Sequence, residues 1–238
     1  MHASTNGLQN IADRNYTSTS MTNSNRQGVF KNALAIGVWS LWIDGVGGYR
    51  ILEGDRFSIG GAGGEGLADI AVRSAWRRQM AILSRIGDDF WLQDTSSPEV
   101  AIPSSPLVLS DLAPERLPVA KTDSLAPSRE PNLRAMKASP LSGTVVITLD
   151  PPHRFVIPVD AFVIADKTVL IGSERSNHIR IPRMNAGAAV MMKRGDQWWI
   201  RPAGEKPQPL ITGHRTEVND LVMTIQSADA TCPGNENR

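Results

Sequence analysis

The chain has 238 residues, room for one large domain or two of about 100 residues each. Its formal net charge of +1 gives no long-range field that would draw nucleic acid or an anionic membrane, and 41% hydrophobic residues is enough for an ordinary core. No apolar run approaches the ~20 residues of a membrane-spanning helix and none has a signal-peptide layout. The single cysteine, Cys232, excludes an internal disulfide and a cysteine-rich metal site, and the expected setting is cytoplasmic.

In chain order, Ser, Thr and Asn dominate the first stretch, and residues 1–36 are expected to form a disordered polar tail. Short strands are then predicted at Trp39 to Ile43, Tyr49 to Leu52 and Arg56 to Ile59, with Gly45-Val-Gly-Gly48 as a hairpin turn. Gly60-Gly-Ala-Gly-Gly-Glu-Gly66 is glycine-rich, but a phosphate-binding loop needs Lys-Ser or Lys-Thr and then a helix. The next segment, Ala68-Asp-Ile-Ala-Val72, has a strand pattern, so the glycines form an inter-strand loop. Ala75 to Ser84 has helical composition, which an internal repeat overrules; Phe90 to Leu92 is again a strand. Prolines 114, 118, 127 and 131 mark 112–132 as a linker or an insertion, and Leu133 to Lys137 closes the first half. Val145 to Leu149, Phe155 to Ile157, Ala161 to Ile164 and Thr168 to Ile171 are further strands, and 228–238 is a flexible tail. Short strands with turn signals between them predict an all-β sandwich or barrel.

The repeat is degenerate and runs through most of the pattern. Ile59-Gly60, Ala68 to Val72, Ala81-Ile-Leu83 and Arg85-Ile-Gly-Asp-Asp-Phe-Trp-Leu92 recur as Ile171-Gly172, Asn177 to Ile181, Ala189-Val-Met191 and Lys193-Arg-Gly-Asp-Gln-Trp-Trp-Ile200. The offset is 112 residues at the first element, 109 at the second and 108 at the last two, so the loops differ while the strands keep step. Gly87-Asp88 and Gly195-Asp196 fall where hairpins need turns. Trp91 and Trp199 each follow another aromatic, so one of each pair should face the core.

This order of Ile-Gly, Asn/Asp-x-Ile, strand, Gly-Asp and aromatic strand resembles the core of forkhead-associated (FHA) domains. Leu210-Ile-Thr-Gly213, Glu217-Val218 and Leu221-Val-Met-Thr-Ile225 are similar to the closing strands of that fold. Leu41-Trp-Ile-Asp-Gly-Val-Gly-Gly-Tyr49 and Ser139-Pro-Leu-Ser142 further resemble bacterial two-module FHA proteins. The resemblance spans roughly residues 38 to 227 and implies two SMAD/FHA-type β-sandwiches in tandem, 37–138 and 139–227, with the Pro-rich loop inside the first.

The resemblance also implies a phosphopeptide-binding, signalling role, since FHA domains read phosphothreonine with an Arg, a Ser-x-x-His segment and an Asn in loops at one end of the sandwich. A dianionic phosphate calls for charge-assisted donors of this kind. Here those positions hold Gly61, Arg77 and Met80 in the first module, with no Asn between Asp94 and Ser105, and Ser173, Asn185 and Ala188 in the second. Neither module carries the family's recognition set. Arg73, Arg77 and Arg78 instead gather in the loop that would meet the phosphate, with Trp76 among them as a candidate contact for a partner. The competing reading is a solvated basic turn. In the second module Ser173, Arg175 and Asn177 supply hydroxyl, guanidinium and amide donors, again against a plain surface loop.

His2, His153, His178 and His214 form no ligand-spaced pair, and no Ser, His and acid residues sit in a nucleophile motif such as Gly-x-Ser-x-Gly. Metal, cofactor and catalysis are therefore not expected. The expectation is a non-catalytic protein–protein interaction module for phosphorylated or acidic segments. The alternative is a structural, self-associating scaffold whose phosphothreonine site has been lost.

Overall fold

The computed structural model describes residues 37–62, 67–95, 105–107, 115–119, 130–139, 142–184 and 189–228, all within one compact unit, Ala33–Arg238. The tail expected at 1–36, all but Ala228 of the tail expected at 228–238, Cys232, most of the 112–132 loop and positions 185–188 lie outside the described residues. Within them the protein is all-β, with no helix.

The first half contributes β1 (Gly37–Ile43), β2 (Gly47–Glu53), β3 (Arg56–Gly61), β4 (Ile70–Val72), β5 (Ala81–Ile86), β6 (Asp89–Asp94), β7 (Ser105–Leu107), β8 (Glu115–Arg116) and β9 (Leu133–Lys137). The second contributes β10 (Val145–Leu149), β11 (Ala161–Ala165), β12 (Thr168–Gly172), β13 (Ile179–Arg180), β14 (Ala189–Arg194), β15 (Gln197–Arg201), β16 (Gln208–Pro209), β17 (Arg215–Val218) and β18 (Leu221–Ser227). Strand β8 falls inside the stretch expected to be irregular. Phe155 to Ile157, expected to be a strand, is a loop that makes only a single bridge, Phe155 to Val72. Prolines at 151, 152 and 158 flank it and withhold the amide protons that a longer ladder needs.

Each half folds one five-stranded outer sheet, in the orders β4-β3-β5-β6-β7 and β13-β12-β14-β15-β16. Pairing repeats residue for residue. Ile59 faces Ile70 and Ala81, as Ile171 faces Ile179 and Ala189. Ser84 faces Trp91 as Met192 faces Trp199. Gly87 and Gly195, with φ of 64° and 60°, take the left-handed position of the two hairpin turns. Of the aromatic pairs, Phe90 and Trp198 enter the cores while Trp91 and Trp199 remain half-exposed.

The remaining eight strands form one sheet, ordered β17-β18-β1-β2-β11-β10-β9-β8. At its centre β2 and β11 run parallel, with Tyr49 opposite Ala161, Ile51 opposite Val163 and Glu53 opposite Ala165. Every residue there faces the one 112 positions later, the offset that also separates Ile59 from Ile171. Residues opposite each other in this pair share a face, and the two outer sheets cover opposite faces of the eight-stranded sheet. Ile51, Val146, Ala161 and Val163 point into the core shared with the second outer sheet, and Leu52, Val145, Ile147 and Phe162 into the core shared with the first. Strand β11 is buried at all five positions, which explains its unbroken apolar sequence.

The sandwiches are therefore not laid out one per sequence segment. Strand β1 pairs with β18 at the end of the second half, and β10 pairs with β9 at the end of the first. The hairpin β1–β2 completes the sandwich of the second outer sheet, and β10–β11 that of the first. Repeat-equivalent cations pin the exchange. Arg85 on β5 bonds Asp55 at 2.9 Å and reaches Asp166, just past β11, at 3.1 Å. Lys193 on β14 pairs with Glu53 at the end of β2, whose carboxylate also accepts from the Trp39 indole at 3.2 Å.

Candidate functional site

Three of the arginines expected to meet a partner lie on the β4–β5 connection, residues 73–80, and all three side chains are exposed. Trp76 is not. Its side chain is only 7% exposed and packs with Phe57, Ile59 and Met80 in the core beneath the first outer sheet, so the partner contact expected of it has no exposed ring to make it. An indole amid charged residues reads from sequence as a surface anchor. Here its apolar area is large enough to turn it inward and hold the connection down.

The backbone of this connection lies directly on β3. The Gly61 amide donates to the Arg77 carbonyl at 2.7 Å, and the Met80 amide to the Ile59 carbonyl at 2.8 Å. A side chain at Gly60 would collide with the Arg78 carbonyl, and one at Gly61 with the Trp76 carbonyl. Gly61, where the FHA resemblance implies a phosphate-binding Arg, is thus covered by main chain. The loop presents Arg77 and Arg78 outward from a fixed base.

Arg73 has a different setting. Its amide donates to the Arg154 carbonyl at 2.9 Å and its guanidinium to the Val156 carbonyl at 3.3 Å. It therefore stands at the rim of a cleft of about 530 Å³ walled by the β10–β11 loop, whose lining includes Leu149, Pro158, Val159 and Asp160. Arg154 and His153 line the same cleft. Sequence inspection passed over Arg154 because the surrounding Phe155 to Ile157 looked like an ordinary strand. The unequal length of two repeat-related hairpin loops was the available signal.

Ser173, Arg175 and Asn177 lie on the β12–β13 connection, in the outer sheet on the opposite face, so the two candidate groups do not form one site. Arg175 is exposed and Ser173 half-buried. Asn177, only 2% exposed, closes its own turn, both its amide nitrogens donating to the Glu174 carbonyl at 3.2 and 3.3 Å. Asn185 and Ala188, which the resemblance aligns with recognition positions, lie outside the described residues.

Next to Asn177, His178 is also buried, and sequence reasoning gave it no role. Its Nδ1 accepts from the Leu170 amide at 2.9 Å, which places the proton on Nε2, 3.0 Å from the Ser142 hydroxyl. Burial pushes its pKa down from 6.5 to about 4. A protonated ring would oppose the Leu170 amide, so the fold keeps the neutral form. Stability is full above pH 6.5. It falls as the pH drops towards 4, because the unfolded ring takes up a proton that the folded ring refuses. The expected loss is about 2 kcal/mol between roughly pH 7 and pH 5. Urea midpoints of the wild type and His178→Asn, whose amide oxygen can stand in for Nδ1, check this. An equal pH dependence in both proteins would assign the acid sensitivity elsewhere.

Among the described residues no group of three or more His, Cys, Asp or Glu could hold a metal ion, and no helix is long and apolar enough to cross a membrane. Comparison with the models of known families, with curated proteins and with solved structures finds no match.

Proposed function

We propose that this chain is a non-catalytic FHA-type interaction module that holds an acidic or phosphorylated segment of a partner protein at the end carrying Arg73, Arg77 and Arg78. The observation that supports this is the way the loop is fixed. Buried Trp76 and the main-chain contacts to Gly60 and Gly61 anchor it, so the exposed guanidinium groups stand on an already ordered base. An ordered loop loses less entropy on binding, and guanidinium forks match phosphate and carboxylate oxygens. The strand order shared by the two outer sheets agrees with the sequence pattern behind the FHA resemblance.

The test is fluorescence-polarisation binding of phosphothreonine peptides and their unphosphorylated twins to the wild type and to Arg77→Glu/Arg78→Glu. A phosphate or acidic preference that weakens at least about ten-fold in the variant is expected. Equal binding by both proteins, or no binding by a folded wild type, would reject the proposal. The scaffold reading is favoured by one feature: Asn177 and Trp76 both serve the fold rather than a ligand. Self-association without peptide binding would support it.

A further inference from the structure

The two halves build outer sheets of equivalent strand order, but their hairpins in the central sheet differ at one place. Between β1 and β2 the connection is the three residues 44–46; between β10 and β11 it is the eleven residues 150–160. The longer loop is tied down along its whole length. At its start Arg134 Nε donates to both Asp150 oxygens, at 2.8 and 2.9 Å, and Asn132 donates to the same carboxylate. Midway, Phe155 enters the core edge-on to Phe162, with ring centroids 4.8 Å apart, and the Val156 amide donates to the Ala71 carbonyl at 2.8 Å. At its end the Asp160 amide donates to the Gly48 carbonyl at 2.8 Å, and the Gly48 amide to Asp160 Oδ2 at 2.9 Å.

A loop held at both ends and in the middle encloses a cleft rather than a floppy margin. Leu149, Ile157, Pro158 and Val159 give it an apolar side, His153 and Asp160 add polar surface, and its rim carries the exposed guanidinium groups of Arg73 and Arg154. About 530 Å³ lies within the range of ligand sites. One further large ring is exposed near the Asp160 end of the loop. Gly48, bonded to Asp160, lies beneath the ring of Trp42, which is 38% exposed on the face of the central sheet that Leu52 shares with the first core. Two guanidinium groups beside an apolar side are complementary to an anionic residue with an apolar neighbour, which a peptide segment supplies.

We infer that this cleft binds an extended peptide segment of a partner protein, seating an apolar side chain between Leu149, Ile157 and Val159 while Arg73 and Arg154 hold an acidic or phosphorylated group beside it. The inference rests on the interaction-module reading and adds to it a requirement for an apolar residue next to the anion. It also assigns recognition to both halves of the chain, since Arg73 comes from the first and Arg154 from the second.

The experiment uses the full chain and a peptide library with a fixed central Glu or phosphothreonine and either Leu or Ala at each neighbouring position. Arg154→Glu, Ile157→Asp and Arg77→Glu/Arg78→Glu are compared with the wild type, with thermal melts to establish that each is folded. Leu should be selected at one neighbouring position, and Arg154→Glu should weaken binding at least about ten-fold. Ile157→Asp should abolish the preference for Leu over Ala. Arg154 is exposed, so its variant remains informative if Ile157→Asp fails to fold. Undiminished binding by Arg154→Glu with no Leu preference would overturn the cleft inference. If Arg77→Glu/Arg78→Glu nonetheless lost binding, the interaction-module proposal would stand without it. Failure of every peptide to bind the wild type would remove both.

Discussion

Gly60→Ala is expected to lower the stability of the fold by about 3 kcal/mol or more, a large loss for the addition of one methyl group. The added carbon would meet the Arg78 carbonyl, and a main-chain atom can give way only if the 73–80 connection lifts off β3. Lifting it breaks the Gly61 to Arg77 hydrogen bond and draws Trp76 from the core. Gly45→Ala provides the contrast. Its φ of 70° disfavours a side chain, but nothing lies within 4 Å, so only the backbone cost of ~1 kcal/mol is expected. Urea midpoints of the two variants separate steric overlap from backbone preference. The same geometry explains why Gly61→Arg, which would introduce the residue type that FHA domains carry at the position Gly61 resembles, should destabilise the protein instead of creating a phosphate site. Should Gly60→Ala unfold at the wild-type midpoint, the connection does not lie on β3 as described.

The exchange of hairpins bears on function as well as on fold. Were each half to form its own sandwich, the loop 150–160 would belong with the second outer sheet. Crossed over, it borders the first and meets Arg73 and Val72. The cleft therefore exists only because the hairpins are exchanged. Arg85 and Lys193 stand at equivalent places in the repeat, and each bonds an acidic residue at the end of the other half's hairpin. Those pairs are partly shielded, with Arg85 only 11% exposed, so they are screened less than a surface pair would be.

Much of the fold was legible in the sequence. Alternating and β-branched runs located β1, β2, β3, β10, β11 and β12, and the offsets of 112, 109 and 108 residues anticipated pairings that the outer sheets repeat in register. Partner choice was not legible. Strand pattern sets which face of β1 is apolar, but β9 and β18 offer β1 equivalent edges, and the selection between them is made by tertiary contacts far apart in sequence. The candidate site was read less well. Arg73, Arg77 and Arg78 are exposed as expected, whereas Trp76 and Asn177 are buried because burial depends on what packs above a loop. Phe155 to Ile157 looked like a strand because the same apolar residues also suit a loop whose Phe155 plugs a core.

The most direct measurement of the exchanged arrangement is proximity between β1 and its neighbour. Ser40 on β1 faces Gln226 on β18. In self-contained halves it would instead face Met136 on β9, the residue that Val146 faces on the repeat-equivalent β10. Three strands, β2, β11 and β10, stand between β1 and β9, which at ~4.8 Å per strand puts Ser40 and Met136 about 19 Å apart. Both cysteine pairs would be made in a Cys232→Ser background and treated with a bimane reagent that fluoresces on joining two nearby thiols. The exchanged fold predicts rapid bridging of Ser40→Cys/Gln226→Cys in the monomer and none of Ser40→Cys/Met136→Cys. Bridging of the second pair and not the first would contradict it, and with it the cleft between Arg73 and Arg154.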